Sequence, residues 1–259
     1  MSSPALAGIH EHPSWQEPLF EVLDRRGVEY VAYDLKSAAF DPDRAIQPSV
    51  IFNQASPSAY VRGNGHTVSF ALALLEDLES SGLKVLNGSA AFRLELSKIA
   101  QVRLMRQLGM DYPRTVAFNR VEALEELGKA IRFPAILKPN QGGSGARMVE
   151  VGSLGELTDV LHADPSLWNP DPVLLLQEKL EHDPVQEGIV RMEFLDGELL
   201  YAMRVVGGSG FNLCPSVDCN PEGDEDGTCT IPHTESGGNP SFLPLSLIHI
   251  SEPTRLRRI

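Results

Sequence analysis

The sequence is poor in cysteine, in positive charge and in long apolar runs. Three cysteines in 259 residues are too few, and odd in number, for a disulfide framework. The formal net charge of −13 argues against a broad nucleic-acid surface, which needs clustered Lys and Arg. No apolar run reaches the roughly 18–20 residues that span a bilayer, and the N-terminus lacks the segments of a secretory signal. We therefore expect a cytoplasmic protein with neither nucleic-acid nor membrane partners.

Hydrophobic residues make up 42% of the sequence, a composition typical of a globular protein. Strands and helices alternate over the first part of the sequence. Apolar runs predict strands at 5–9, 30–33, 50–52 and 85–86, and helical spacing predicts helices from Pro18 and over 70–78. This order is typical of an open α/β sheet with crossover helices.

A second group of elements begins near Ser97, which is expected to start a helix. The predicted buried stripe of that helix is Ile99, Val102, Met105 and Leu108. Strands are predicted at 115–118, 134–137, 148–151 and 173–176. Capping-box signatures at Asn119 and Ser153 predict the starts of two more helices. The Asn119 helix is expected to carry Leu124, Leu127 and Ile131.

A hairpin is predicted after these elements. Its strands are expected at 189–195 and 199–206, joined at Asp196-Gly197, a dipeptide that favours the positive φ of tight hairpin turns. From residue 207 to 244 the sequence is rich in Gly, Pro, Ser and Asp and shows no strand pattern. We find no internal repeat.

The most informative segment follows the strand at 134–137. That strand carries Lys138 into the glycine-rich loop Gly142-Gly143-Ser144-Gly145. Glycines let a backbone approach phosphate closely and point N–H groups at it, and the lysine adds a positive charge. A plain hairpin with a flexible tip is the alternative. The loop is neither a Walker A sequence nor a dinucleotide fingerprint.

Two further segments give weaker evidence of function when each is considered alone. Gln177-Glu178-Lys179-Leu180 follows a fully apolar strand and could present backbone and side-chain groups to the edge of a purine. Its alternative is an ordinary strand exit. Lys98 lies at the start of the helix after Ser97, where a lone lysine is usually solvated.

Together these segments resemble the ATP-grasp superfamily, most closely the RimK-like amino-acid ligases. ILKPNQGGSG is similar to the phosphate-covering loop of that family, and LLLQEKL is similar to its adenine hinge. RMEFLDGELLYAMRV resembles the strand pair that follows the hinge. KVLNGSAAFRLELSKIAQVRLMRQLGMDYPRTVAF resembles the passage into the ATP-binding region. The resemblance implies an α/β, ATP-grasp-like fold with an N-terminal open α/β (pre-ATP-grasp) domain and an incomplete C-terminal part.

The resemblance also implies a division of the chain into four parts. The N-terminal α/β domain is expected over 1–92. A linker helix and the small ATP-grasp subdomain, which carries the glycine-rich loop, are expected over 93–176. The beginning of the large subdomain is expected over 177–244. A non-native tail is expected over 245–259.

Site roles follow from the resemblance, residue by residue. Lys98 and Lys138 would contact the ATP phosphates, and the phosphate-covering loop would consist of Gly142, Gly143, Ser144 and Gly145. The adenine would be framed by Gln177, Glu178, Lys179 and Leu180, and Glu187 would accept the ribose hydroxyls. Arg191 and Arg204 would face the transferred phosphoryl group or an acyl phosphate. A surface pair of Arg191 with Glu193 is the alternative for the first arginine.

The activity implied by the resemblance is ATP-dependent ligation of a carboxylate to an amine through an acyl phosphate. The substrates would be ATP and an amino acid, peptide or protein terminus, and a homo-oligomer is possible. Mg²⁺ is an expected cofactor whose ligands would lie in a missing C-terminal region, so no metal ligand is assigned. The alternative is a non-catalytic nucleotide-binding or regulatory protein on the same fold.

The last part of the sequence carries two further hypotheses. Cys214, Cys219, Cys229 and His233 lack the close cysteine pairs of common zinc sites, and reduced thiols are the favoured interpretation. The tail LSLIHISEPTRLRRI resembles a translated sequencing adapter. We therefore expect the natural sequence to depart near Pro244, and we expect this truncated chain to be poorly active or inactive.

Overall fold

The computed structural model describes residues 4–43, 48–143, 145–181, 188–206, 211 and 241–245, without the side chains of 127 and 241–245. The chain divides into two compact units, Met1–Lys179 and Leu180–Ile259. Within the described ranges, no helix is long and apolar enough to cross a membrane.

The first unit begins with a four-stranded parallel sheet, as the alternation of strands and helices predicted. Its strands are β1 (Leu6–His10), β2 (Tyr30–Asp34), β3 (Val50–Asn53) and β4 (Lys84–Leu86), in the order β2-β1-β3-β4. The connecting helices are α1 (Glu17–Arg25) and α2 (His66–Ser80). Ile9, Ile51 and Leu75 are fully buried between sheet and helix. Burial of these branched side chains is the main stabilising term of this layer.

A buried ion pair lies just beyond the end of β1. Glu11, which is 1% exposed, accepts hydrogen bonds from Arg62 Nε at 2.9 Å and Nη2 at 2.7 Å. Asn64 Nδ2 donates a third at 2.9 Å. Burial alone would raise the pKa of Glu11, but the hydrogen bonds from Arg62 and Asn64 outweigh it and hold that pKa below its usual value. The carboxylate therefore stays charged inside the fold.

A second sheet in the same unit is antiparallel. It is formed by β5 (Thr115–Phe118), β6 (Ala135–Pro139), β7 (Val149–Val151) and β8 (Leu174–Glu178), in the order β5-β8-β6-β7. One face packs its apolar side chains, among them Leu137, Leu174 and Leu176, against α6 (Leu154–Ala163). The α6 start is capped as predicted, because Ser153 Oγ accepts from the Glu156 N–H at 3.1 Å.

Two helices join the sheets, and one of them was not predicted. The short α3 (Ser89–Glu95) precedes α4 (Lys98–Gln107), whose start agrees with the prediction. The predicted buried stripe on α4 is wrong: none of the residues of this fully described helix is buried, and Leu108 is 64% exposed. Apolar spacing marks a helix face, but it does not tell whether another element covers that face.

The capping box predicted at Asn119 is also wrong. The chain there forms a 3₁₀ turn, Val121–Ala123, followed by the single turn α5 (Leu124–Leu127) and a second 3₁₀ turn, Gly128–Ala130. The residue before the first turn is Arg120, and its side chain makes no capping hydrogen bond in the described structure. Leu124 and Ile131 are nevertheless buried, so the apolar pattern located the core contacts without the correct helix type.

The described strands of the second unit form an antiparallel sheet in the order β11-β10-β9. Its hairpin, β9 (Ile189–Leu195) and β10 (Glu198–Val206), was predicted, and both Asp196 and Gly197 adopt positive φ. The strand β11 (Ser241–Leu245) pairs with β10 and contradicts the expected lack of strand structure before residue 244. Pro244 weakened the pattern, but an edge strand tolerates proline. Residues 246–259, most of the predicted tail, lie outside the described residues.

Candidate functional site

Lys138 is presented by the face of the second sheet opposite its core. Along β6 buried and half-buried residues alternate, and Lys138 lies on the half-buried side. Its Nζ donates to Gln177 Oε1 at 2.6 Å, and Gln177 Nε2 donates to Thr115 Oγ1 at 2.7 Å. Because Thr115 pairs with Gln177 and Gln177 with Ile136, this chain of hydrogen bonds crosses β5, β8 and β6. The register of three strands therefore fixes the lysine.

Lys98 reaches the same region from the first turn of α4. Its Nζ donates to the carbonyl oxygen of Gly142 at 2.9 Å and to that of Asn140 at 3.4 Å. Burial lowers the pKa of Lys98 from 10.5 to about 8, helped by the charge of Lys138 and opposed by Asp171. Burial also lowers the pKa of Lys138. The structure thus brings both predicted lysines to the glycine-rich loop.

The loop itself packs closely against the first sheet domain. Gly142 has a φ of +138°, and a Cβ placed there would lie 2.6 Å from Tyr60 Oη. Gln141 Nε2 donates to the carbonyl of Pro57 at 3.4 Å. Only glycine combines this dihedral with this close approach. Gly143 leaves room for a Cβ, which would stand 3.7 Å from Ser58. Ser144 lies outside the described residues.

The loop rests against Tyr60, a half-buried side chain whose hydroxyl oxygen is buried. Its hydroxyl has no hydrogen-bond partner among the described residues. The guanidinium of Arg147 lies 5.2 Å from the centre of its ring, a cation–π arrangement. Burial raises the pKa of Tyr60, and Arg147 opposes that effect. Neither residue was predicted as part of the site, because contacts between distant segments leave no local pattern.

The predicted adenine segment ends β8 and leaves the first unit. The backbone N–H of Glu178 donates to Arg114 O at 2.9 Å, and its carboxylate pairs with Arg132 at 3.4 Å. Lys179 Nζ pairs with Glu150 at 2.8 Å. The side chains of Glu178 and Lys179 therefore form ion pairs at the surface of the second sheet, whereas the Gln177 side chain accepts a hydrogen bond from Lys138. Leu180 is exposed. Adenine contact by this segment stays a prediction, and Glu187 lies outside the described residues.

The two predicted arginines of the hairpin are not brought together. Arg191 pairs with Met203, and Arg204 pairs with Val190. Paired residues of an antiparallel sheet share a face and successive residues alternate, so Arg191 and Arg204 lie on opposite faces. Arg204 Nε is buried without a partner in the described structure. The two arginines therefore cannot both reach one group bound on a single face of this sheet.

Asn140 is a site residue that the sequence reasoning missed. It lies between Lys138 and the glycines, inside the motif already singled out, and it contacts both α4 and the segment that leads into β8. Its position within the ILKPNQGGSG segment was the available signal. Asparagine is common in loops, however, and nothing local distinguished it.

Metal ligation has no candidate in the part of the chain that the structure describes. No group of three or more His, Cys, Asp or Glu side chains there could hold a metal ion. Cys214, Cys219, Cys229 and His233 fall outside the described residues, so the zinc hypothesis stays untested.

The fold is shared with solved ATP-grasp proteins. A RimK domain ATP-grasp protein from Sphaerobacter thermophilus superposes with a TM-score of 0.60 at 19% identity, covering 77% of this chain and 72% of that one. The VanG D-Ala:D-Ser ligase from Enterococcus faecalis gives a TM-score of 0.60 at 14% identity, over 82% of this chain and 72% of that one. The chain therefore has an ATP-grasp fold, and the predicted resemblance is confirmed.

Sequence relatives agree with that fold. The chain is 27% identical over 137 residues to the carbamoyl phosphate synthase large chain of Pyrococcus furiosus, covering 49% of this chain and 13% of that protein. It is 32% identical over 105 residues to the N5-carboxyaminoimidazole ribonucleotide synthase of Synechococcus elongatus, covering 40% of this chain and 26% of that protein. The matched segments cover only 13% and 26% of the lengths of these two relatives. No family profile matches the chain.

Proposed function

We propose that this protein is an ATP-dependent ligase that joins a carboxylate to an amine through an acyl phosphate. The observation that carries the proposal is the meeting of Lys98 and Lys138 at one glycine-rich loop. The two half-buried ammonium groups repel each other, and the lowered pKa of Lys98 reflects the cost of burial together with that repulsion. A bound polyphosphate would neutralise both charges. The site is therefore suited to a nucleoside triphosphate.

The first proposed step is phosphoryl transfer. A carboxylate oxygen of the substrate attacks the γ-phosphorus, the bond from that phosphorus to the β–γ bridging oxygen breaks, and ADP leaves. The protein's contribution is charge neutralisation and positioning. Lys138, fixed by Gln177, and Lys98, fixed at the Gly142 carbonyl, would supply the positive charge.

The second proposed step forms the amide. The amine attacks the carbonyl carbon of the acyl phosphate, the carbon–oxygen bond to phosphate breaks, and the amine loses a proton. The acyl phosphate is sensitive to water, and the glycine-rich loop would also protect it by covering the bound substrate. The acceptor amine and the carboxylate are proposed only as a class, an amino acid, peptide or protein terminus.

Mg²⁺ is part of the proposal, but the described residues do not include a ligand cluster for it. When bound, the ion would neutralise phosphate charge. Low turnover by this 259-residue chain and the homo-oligomer remain predictions.

Binding and chemistry are tested separately. Calorimetric titration with ADP and with a non-hydrolysable ATP analogue, both with Mg²⁺, measures binding by the wild-type chain. Lys138→Met should weaken it by roughly a hundredfold, since a buried charge contact is lost. Lys129→Met, a change at an exposed lysine, should leave it unchanged. The absence of nucleotide binding in the wild type would refute the proposal.

Chemistry is tested by trapping. Hydroxylamine converts an acyl phosphate into a hydroxamate, so prolonged incubation with ATP, Mg²⁺ and pools of amino acids or peptides should give hydroxamate and ADP in equal amounts, at the low rate expected of this chain. Nucleotide binding without hydroxamate or ADP, in every pool, would instead favour the non-catalytic nucleotide-binding alternative.

A further inference from the structure

We propose that Asn140 is the positioning residue that holds Lys98 in place beside Lys138 and the glycine-rich loop. Its effect on nucleotide binding rests on the proposed function, whereas its effect on Lys98 does not. The proposal stands on hydrogen bonds through which Asn140 joins α4 to the ends of β6 and β8.

Asn140 caps the helix that carries Lys98. The first N–H groups of a helix have no partner within it and need an external acceptor. The carbonyl of Asn140 accepts from the Lys98 N–H at 3.1 Å, and its Oδ1 accepts from the Ile99 N–H at 3.1 Å. Ser97 Oγ accepts from the Ala100 N–H at 3.2 Å and donates to Asn140 Oδ1 at 3.1 Å. Asn140, which follows β6 directly, therefore supplies the acceptors for the first two N–H groups of α4.

The other side of Asn140 is anchored to the segment that leads into β8. Its Nδ2 donates to Asp171 Oδ2 at 2.8 Å, and its N–H donates to Val173 O at 3.0 Å. Asp171 Oδ1 in turn accepts from the Val173 N–H at 2.9 Å. Asn140 is only 8% exposed, so these bonds form away from water. The amide is needed as an acceptor toward α4 and as a donor toward Asp171, a combination that neither aspartate nor leucine offers.

The geometry of Lys98 follows from this anchoring. Lys98 is the first residue of α4, and its ammonium group rests on the carbonyls of Asn140 and Gly142. Lys138 lies two residues before Asn140, on β6. A shift of Asn140 would therefore change the separation of the two ammonium groups, and a misplacement of about 1 Å can cost a hundredfold in a positioned site.

The test compares two variants with a matched control. Asn140→Ala removes the amide, and Asn140→Gln keeps it but displaces it by one methylene group. Asn119→Ala alters an exposed asparagine. The first readout is the pH dependence of Lys98 acetylation by a limiting amine reagent, quantified by mass spectrometry. The second is the dissociation constant for ADP.

In the wild type, Lys98 should titrate near pH 8. Asn140→Ala should move its titration midpoint upward, because the freed ammonium gains water, and should weaken ADP binding by roughly tenfold or more. Asn140→Gln should move both readouts in the same direction and by less. Asn119→Ala should move neither.

A swap separates positioning from general damage to the fold. Asn140→Asp alone sets two carboxylates against each other and should weaken ADP binding. Adding Asp171→Asn restores a donor–acceptor pair with its polarity reversed, since the carboxylate at position 140 then accepts both from the helix and from the amide at position 171. Recovery of ADP affinity to within about threefold of wild type would support the hydrogen-bond assignment; no recovery would overturn it.

The outcomes are distinguishable. An unchanged Lys98 midpoint and unchanged ADP affinity in folded Asn140→Ala would overturn the inference. If Asn140→Ala does not fold, Asn140→Gln decides by the same two readouts. A wild type that binds no nucleotide, but whose Lys98 midpoint moves in the variants, would refute the proposed function and support the positioning role.

Discussion

The affinity for nucleotide should fall with rising pH, because Lys98 loses its proton within an accessible range. Burial and the charge of Lys138 place the pKa of free Lys98 at about 8. A bound polyphosphate would favour the charged lysine and raise this pKa toward its ordinary value of 10.5. Binding above pH 8 must therefore be accompanied by the uptake of a proton, and the free energy of that protonation is subtracted from the binding free energy.

The size of the effect follows from the protonated fraction. At pH 7 about nine-tenths of free Lys98 is charged, and at pH 9 about one-tenth is, so the dissociation constant should rise roughly tenfold between them. Terminal phosphates titrate near a pKa of about 6 and contribute little change over this interval. The lowered pKa of Lys138 acts in the same direction.

The assay is calorimetric titration of ADP with Mg²⁺ at several pH values. Repeating it at pH 9 in two buffers of different ionisation enthalpy measures proton uptake directly. In Lys98→Met the pH dependence should become shallower, whereas in Lys129→Met it should match the wild type. A dissociation constant that is flat from pH 7 to 9 in the wild type, or equally steep in Lys98→Met, would refute the assignment.

Three further predictions concern stability and the loop. Lowering the pKa of Lys98 from 10.5 to about 8 costs about 3 kcal/mol of unfolding free energy at pH 7. This cost is present in full below pH 8 and disappears as the pH rises to 10.5. Lys98→Met should therefore stabilise the chain in urea denaturation at pH 7, by about 1 to 3 kcal/mol, and much less at pH 10.5. Gly142→Ala should lower the melting temperature and weaken ADP binding, because it adds a methyl group at a φ of +138°, whereas Gly143→Ala should leave the melting temperature unchanged. Arg62→Met leaves the buried Glu11 carboxylate unpaired and should cost about 3 to 5 kcal/mol in the same denaturation assay, so a loss below about 1 kcal/mol would contradict that account.

Local chemistry made much of the fold predictable from the sequence. The β9–β10 hairpin was located because two residues with positive φ, Asp196 and Gly197, separate two strand patterns. The start of α6 was predictable because Ser153 caps it through a bond to a residue three positions on. Both signals involve residues that are close in sequence. Such local signals determine the hairpin turn and the helix start without any contribution from residues that are distant in sequence.

The errors arose where the outcome depends on distant partners. The apolar spacing along α4 was identified correctly, yet no described element buries Leu108. The faces occupied by Arg191 and Arg204 depend on the register of two strands across a bulge between Leu199 and Tyr201. A single shift in register reverses the face of every later residue. Spacing in the sequence cannot supply that register.

The site shows the same contrast more sharply. Lys98 and Lys138 were predicted together only because a family resemblance related two distant segments. The residue that physically joins those segments, Asn140, lies inside the ILKPNQGGSG segment, but nothing local distinguishes it there. Its role depends on the simultaneous position of the Ile99 N–H and the Asp171 carboxylate, which lie on opposite sides of it. A buried amide with both its donor and its acceptor engaged defines one arrangement, because any rotation leaves a polar group unpaired. The precision with which Lys98 meets the loop is therefore set by a neutral side chain, while the lysines supply the charge.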